Sequence, residues 1–564
     1  MSEFHPPQPS PEKLSEAEYL KAGSNYLRGS IVEALADPLT ASVPERETHL
    51  LKFHGAYQED DRDLRNERAA QKLEPAYSFM LRVRATAGIV TPAQWLVLDQ
   101  LARDCGDGTL RLTTRQAVEL HSVLKWKLRE AIRRVNESGL TSLATCGDVN
   151  RNVMLAANPD LPQIHPPLCA LANEVASRLL PRTTAYREIW LDPHSAAERR
   201  DEEPLYGATY LPRKFKIAFA VPPSNDVDIR THDLAFVVVL ADRQIAGFNI
   251  LVGGGLGTTD GEPATYPNLA VEVGFCRLDQ VVQVAETVLA IQRDYGDRTN
   301  RRHARLKYTV NDRGLDWFQA ELRQRLGWDV EPPRPCPLLD RGDRYGGTEA
   351  GDGRRHLTLY FENGRIRDDA DRPWMTGLRA IAQVHRGDFR LTANQNLIIA
   401  NVSEADRSQI EGLVAQYRLS DGRDQSPLRR NAMACVALPL CEMAMAEAER
   451  AMPQFLTQVE ALLAEAGIPD EPIVVRMSGC PNGCARPFVA EIGLVGKAPG
   501  HYNLFLGGDF AGQRLNRLYR ENIELAEILE ILRGMFQRFA QERQPDERFG
   551  DFVIRAGYLT TPPG

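Results

Sequence analysis

Four cysteines stand in two pairs late in the chain. Cys435 and Cys441 enclose five residues (CVALPLC), and Cys480 and Cys484 enclose three (CPNGC). The thiolate form of cysteine is the metal ligand, so four of them could hold a structural zinc or an iron–sulfur cluster. Structural zinc prefers pairs with roughly two to four intervening residues, which makes the first pair loose for zinc. A cubane cluster takes four cysteines at varied spacing. The bland alternative is four unconnected buried thiols. Against it, the two pairs flank one predicted helix–strand unit. Five further cysteines, Cys105, Cys146, Cys169, Cys276 and Cys336, are scattered and read as small buried hydrophobes. An odd total without an export signal argues against a disulfide framework.

The second chemical signal is cationic. Residues 79–85, 111–122 (RLTTRQAVELHS) and 214–221 (KFKIAFAV) alternate as strands. Arg82 and Arg84 share one face. Arg111, Thr113, Arg115, Glu119 and His121 share another, as do Lys214 and Lys216. Each strand turns an apolar face the other way. One such strand would be a sheet with a wet side. Three of them predict a shared polyanionic ligand, because Arg forks match carboxylates bidentately. Lysine is rare here, ten against fifty-eight arginines, so the KFK pair is notable.

These side chains need elements to hold them. Residues 441–463 predict a helix kinked at Pro453, and residues 473–477 a strand. The first cysteine pair would then sit at a helix N-terminus and the second in a Gly/Pro turn, both places where backbone N–H groups lower thiolate pKa. Two short texts recur in the same order: RLTTRQ at 111–116 with RLTANQ at 390–395, and NILVGG at 249–254 with NLFLGG at 503–508. They predict a duplicated unit. The second copy is poorer in charge, with Asn394 where Arg115 stands, which predicts one ligand per chain.

Composition bounds the rest. A length of 564 residues suggests about three to five domain-sized units, and the net charge of −8 excludes a general nucleic-acid binder. The longest apolar run, residues 234–241, is too short to cross a bilayer. The N-terminal residues show neither a basic start nor an apolar stretch, which predicts no secretory signal and a cytoplasmic protein.

The motifs SNYLRG, KFHGAYQEDDRD, LRLTTRQ, DVNRNV, YLPRKFK, GFNILVGGGLG, FRLTANQNLI, GCPNGCARP and GLVGKAPGHYNL, with the four-cysteine pattern, resemble the haemoprotein subunits of assimilatory sulfite reductases. These belong to the sulfite/nitrite reductase superfamily, and the likeness runs from about residue 24 to 557.

The resemblance implies an α+β fold: duplicated mixed sheet–helix units about a pseudo-two-fold axis, in three intertwined domains. The implied units are an N-terminal arm (1–77) packing on the C-terminal domain, ferredoxin-like halves of domain 1 (78–144 and 343–418), domain 2 (145–342) and domain 3 (419–564). It implies a 4Fe-4S cluster on Cys435, Cys441, Cys480 and Cys484, with Cys484 shared with the iron of a sirohaem. Arg82, Arg151, Lys214 and Lys216 match the substrate-anion residues. Arg111, Thr113, Arg115, His121, Arg213, Gln395 and Asn482 match groups on the sirohaem. The implied reaction is sulfite to sulfide for cysteine biosynthesis, with ammonia-forming nitrite reduction as the alternative; both KFK lysines favour sulfite. Electrons would come from NADPH through a separate diflavin (FAD/FMN) subunit. Gly147–Asp148 departs from the Asn–Asp of NADPH-type members and leaves ferredoxin open as donor. GGGLG at 253–257 lacks Rossmann context and falls near the cofactor by resemblance.

Overall fold

The computed structural model describes residues 14–157, 163–191, 201–350 and 352–559. It contains four five-stranded sheets and one two-stranded ribbon among the described residues.

Two of the sheets are antiparallel copies of one another. The first runs Ala56–Asp60, Tyr77–Arg84, Ala117–Val123, Leu110–Leu112 and Arg365–Ile366. The second runs Gly346–Glu349, Arg355–Leu359, Leu397–Val402, Asp388–Leu391 and Ile89–Val90. Each sheet ends in a two-residue strand borrowed from the other: Arg365 pairs with Arg111, and Ile89 with Arg390. The helices Pro92–Cys105 and Trp374–Val384 pack on each other between the copies.

The other two sheets also match. Met154–Leu155, Ile217–Ala220 and Leu234–Ala241 run parallel, then Gln244–Val252 and Val271–Cys276 return antiparallel. Ala432–Ala434, Val475–Ser478 and Ile492–Ala498 run parallel, and His501–Leu506 and Arg517–Glu524 return antiparallel. The duplication read from two hexapeptides is therefore a duplication of whole sheets.

Four local readings need correction. Residues 111–122 are a hairpin, not one strand. Gln116 takes a positive φ of 52°, and Arg111 comes to lie directly across from Glu119. Lys214 and Lys216 precede the regular strand, which starts at Ile217. The predicted 441–463 helix begins only at Met452, and Pro453 opens it instead of kinking it, where its missing N–H costs nothing. Cys441 thus lies in a loop of turns, away from any helix N-terminus. Finally, residues 1–77 are more than an arm, because Ala56–Asp60 is the edge strand of the first sheet.

The apolar interior falls into two main cores. One gathers residues from Leu27 to Leu419, and the other residues from Leu428 to Leu559. The seam between them is polar. At its centre the buried Asp228 carboxylate meets Arg341 (3.1 Å), Arg476 (2.6 Å) and Arg486 (2.5 Å). Asp228 and Arg486 each take a left-handed conformation (φ 49° and 55°) just before a short 3-10 turn at corresponding places in the duplicated sheets. Two equivalent residues meeting across a pseudo-two-fold axis repel if they are alike, and their divergence into Asp and Arg turns that contact into an ion pair.

Removing one partner of a buried ion pair leaves uncompensated charge and costs about 3–5 kcal/mol. Asp228→Asn should lower the unfolding free energy of the apoprotein by that amount in urea. Lys497→Ala, which breaks the more exposed Lys497–Asp260 pair, should cost below about 1 kcal/mol. Equal losses would refute the central role of Asp228.

Candidate functional site

A cavity of about 520 Å³ opens on the seam. Arg82, Arg111, Thr113, Arg115, His121, Arg151, Arg213, Lys214, Lys216 and Asn482 line it, together with Cys435, Cys441, Cys480 and Cys484. Of the site residues that the family resemblance implied, Gln395 alone is not on its wall. The Gln395 amide instead donates to the carbonyls of Asn363 (3.1 Å) and Ala434 (3.0 Å). Arg111 donates to the same Ala434 carbonyl (3.0 Å), so both grip the peptide that leads into Cys435. Arg84 also turns elsewhere, toward the Ala176 carbonyl.

The hairpin supplies one wall. Arg82 from the neighbouring strand donates to Glu119 (2.9 Å), and Arg111 reaches Glu119 (3.3 Å) and Glu449 (2.8 Å). His121 lies 3.2 Å from Glu59 and 3.6 Å from Glu119. Burial alone would depress its pKa, but the two carboxylates push it up to about 9. The opposite wall is held by buried acids. Asp148 pairs with Arg301 (2.7 Å) and Lys21 (3.4 Å), and Asp233 binds Arg305 (2.8 Å). Arg213 stands 3.9 Å from Asp148, and burial with nearby cations brings its pKa down to about 10.

Four cations at the centre have no acidic partner among the described residues: Arg115, Arg151, Lys214 and Lys216. Arg115 donates to the Asn152 carbonyl (2.6 Å), while its Nε is buried without a hydrogen bond. Burial and Arg151 lower its pKa to about 9. Burial and then the surrounding arginines hold Lys214 well below the usual lysine range, and burial, then Lys214 and the arginines, do the same to Lys216. Cations left unpaired at such depth are costly. A polycarboxylate ring and a small dianion are the kind of charge that would satisfy them, and the orphaned Arg115 Nε fits that donor set.

The thiols share the far wall. Cys435 follows the strand Ala432–Ala434, and Cys480 follows Val475–Ser478, its parallel neighbour. Gly479 N–H donates to Cys435 Sγ (3.3 Å). A Cβ on Gly479 would meet Ala437 at 2.5 Å, so glycine is needed where the two cysteine loops touch. Burial and mutual repulsion push Cys441 up to about 12 and Cys480 to about 11, which outweighs the N–H contacts expected to lower them. Among the described residues no three His, Cys, Asp or Glu side chains converge on a single ion. A multi-iron cluster that gives each iron its own thiolate fits such spread thiols better than one zinc does.

Several residues on or directly behind the wall escaped the sequence reading. Cys146 is no inert hydrophobe, since its sulfur accepts from Arg82 (2.7 Å) and it is hydrogen-bonded to Tyr57. Arg301 and Arg305 come from the run RRHAR, whose charge density was the available signal. Lys52 lies 5.4 Å above the Tyr57 ring. Gly147 has a φ of +85°, and a Cβ there would meet the Phe53 ring at 2.7 Å, so local packing accounts for the Gly–Asp pair. Leu256 and Gly257 of GGGLG touch the cavity.

The duplicate of the cavity turn is filled from within. Thr392 (2.7 Å), Asn394 (2.8 Å) and Asn396 (2.7 Å), the counterparts of Thr113, Arg115 and Ala117, all donate to the buried carboxylate of Asp343.

Two family models match the chain. The nitrite and sulphite reductase 4Fe-4S domain matches residues 172–330 and 426–560, and the nitrite/sulfite reductase ferredoxin-like half domain matches 71–138 and 348–417. A protein of Oceanobacillus iheyensis named sulfite reductase (NADPH) hemoprotein beta-component is 53% identical, over 97% of this chain and 95% of its own. One of the same name from Myxococcus xanthus is 54% identical over 98% of each. The solved structure of the Mycobacterium tuberculosis NirA protein superposes with a TM-score of 0.78 at 26% identity, covering 97% of both chains.

The His121 shift carries a sign. A folded pKa above the ordinary 6.5 contributes stability that is complete below 6.5 and lost as pH rises through about 9. The melting temperature of the apoprotein should therefore fall more between pH 7 and 9.5 for wild type than for His121→Gln. Superimposable pH profiles would contradict a charged His121.

Proposed function

This chain belongs to the nitrite and sulphite reductase family, and from that membership we propose that it reduces sulfite to sulfide in six one-electron steps within assimilatory sulfur metabolism. The observation that carries this reading is the meeting of four thiols and four unpaired cations on one cavity.

Sirohaem and a 4Fe-4S cluster would supply stored electrons and an iron at which sulfite is reduced. Cys435, Cys441, Cys480 and Cys484 would hold the cluster, and Cys484 would also hold the sirohaem iron. Arg111, Thr113, Arg115, His121, Arg213 and Asn482 would take the ring's carboxylates. Gln395 would act at one remove, by fixing the peptide before Cys435.

Arg82, Arg151, Lys214 and Lys216 would bind the sulfite oxygens. Their charge attracts the dianion and stabilises negative charge that grows as each S–O bond breaks. Arg82 is locked by Glu119 and Cys146 and serves as a fixed electrostatic contact. Burial and the neighbouring cations leave Lys214 and Lys216 each holding its proton weakly, so each can pass it to an oxygen leaving as water. Glu119 and His121 keep that wall charged and oriented.

We assign the electron donor to a separate NADPH-dependent diflavin subunit, in keeping with the names of the Oceanobacillus and Myxococcus relatives. Among the described residues no helix is long and apolar enough to cross a membrane, and we place the protein in the cytoplasm. The same reading takes residues 78–144 with 343–418, 145–342 and 419–564 as the three intertwined domains.

Purified, iron-replete protein should show isobacteriochlorin bands in its visible spectrum and release sulfide from sulfite with a reduced dye as donor. A colourless protein would overturn the assignment. Cys484→Ser should abolish sulfide formation, and full activity in that variant would remove the shared thiolate. Lys216→Asn should lower kcat/KM for sulfite at least roughly tenfold more than for nitrite, the size expected when one charged contact to the transition state is lost. Equal losses would speak against a sulfite-specific role.

A further inference from the structure

Cys484 is the most exposed of the four thiols and lies in a turn. The peptide after Cys484 is held at both ends: the Ala485 N–H donates to Ser478 Oγ (3.1 Å), and from across the cavity Thr114 Oγ1 donates to the Cys484 carbonyl (2.9 Å). The bond is returned two residues later, where Arg486 Nη1 donates to the Thr114 carbonyl (2.8 Å). The other guanidinium nitrogen of Arg486 donates to the Ala393 carbonyl (2.8 Å). Ala393 is the duplicate of Thr114 in RLTANQ, so Arg486 reaches both copies of the turn from near the axis, while its Nε sits 2.5 Å from Asp228. The Asp228 carboxylate is in turn gripped by Arg341 and Arg476.

Thr114 therefore stands between two functions. Its neighbours Thr113 and Arg115 face the cavity where ring carboxylates would lie, and its own hydroxyl ties down the thiol-bearing turn. Ala393 has no hydroxyl to do this in the second copy, and no cysteine stands opposite it.

Resting on the reading of Cys484 as the thiolate shared between ring and cluster, we propose that Thr114 is a positioning residue that sets the Cys484 turn against the ring-holding hairpin, with Arg486 and Asp228 as its anchor. Hydrogen bonds around ligating sulfurs and their peptides tune both geometry and reduction potential, so loss of this bond should register at the metals before it registers in stability.

The test compares Thr114→Val, which keeps the shape and loses the donor, with Thr114→Ser, which keeps the donor. Both are purified with cofactors. The Val variant should load both cofactors, shift its visible bands and the midpoint potentials in a spectroelectrochemical titration, and lose roughly tenfold in kcat, the low end for an outer-shell hydrogen bond. Its KM for sulfite and its melting temperature should stay near wild type. The Ser variant should restore bands, potentials and kcat. A Val variant with wild-type spectra and potentials would overturn the proposal, as would a Ser variant that behaves like Val. Wild-type protein without the ring pigment would instead sink the functional reading itself, and this inference with it.

Discussion

Positive charge without a partner, held at the seam of two cores, is the constraint from which the rest of the structure follows. Arg115, Arg151, Lys214 and Lys216 could be quieted by nearby acids, as Arg305 is by Asp233 and Arg301 by Asp148. They are not: Glu119 and Glu59 on the same wall are taken up by Arg82, Arg111 and His121, and Asp148 and Asp233 by Arg301 and Arg305, which leaves the central four without a carboxylate among the described residues. An unpaired buried charge is tolerated only where something else contributes the compensating energy. On the proposed reading, ring carboxylates and the substrate dianion would supply that compensation, and stability and function would share one site.

Duplication explains how such a seam arose on paired sheets, and divergence explains why one cavity results. At the axis, equivalent positions became Asp228 and Arg486. At the turns, Arg115 has Asn394 as its counterpart, and Asp343 lies against the second copy. A carboxylate from the chain's own linker thus takes three donors in the second copy, on the same turn geometry whose first copy faces the cavity. The strand exchange at Ile89 and Arg365 locks the two halves together, so neither copy can be moved without the other.

Much of this was legible in the residues. The four cysteines, the KFK lysines and the repeated hexapeptides announced themselves by spacing and residue type, and period-two alternation put Glu119 and His121 beside Arg111. What failed, failed for physical reasons. The turn after Leu112 contains no Gly or Pro, and Gln116 takes the left-handed conformation without advertising it, so alternation ran on through a hairpin. Residues 441–451 are rich in helix formers, yet tertiary demands override propensity there. Arg62 takes the carbonyls of Cys441 and Ala444, and the N–H groups of Met445 and Ala446 point to Gly479. Two-residue exchanged strands carry no sequence signal at all, and Cys146 holds the wall residue Arg82 through a contact between positions sixty-four apart.

The same physics bears on Gly147, whose presence in place of Asn left the electron donor open on resemblance alone. A positive φ and the Phe53 ring at 2.7 Å from a would-be Cβ make glycine a packing requirement of this chain. Its neighbour Asp148 binds Arg301 and Lys21 at the cavity wall. A residue selected by a neighbouring ring carries no information about which protein delivers electrons.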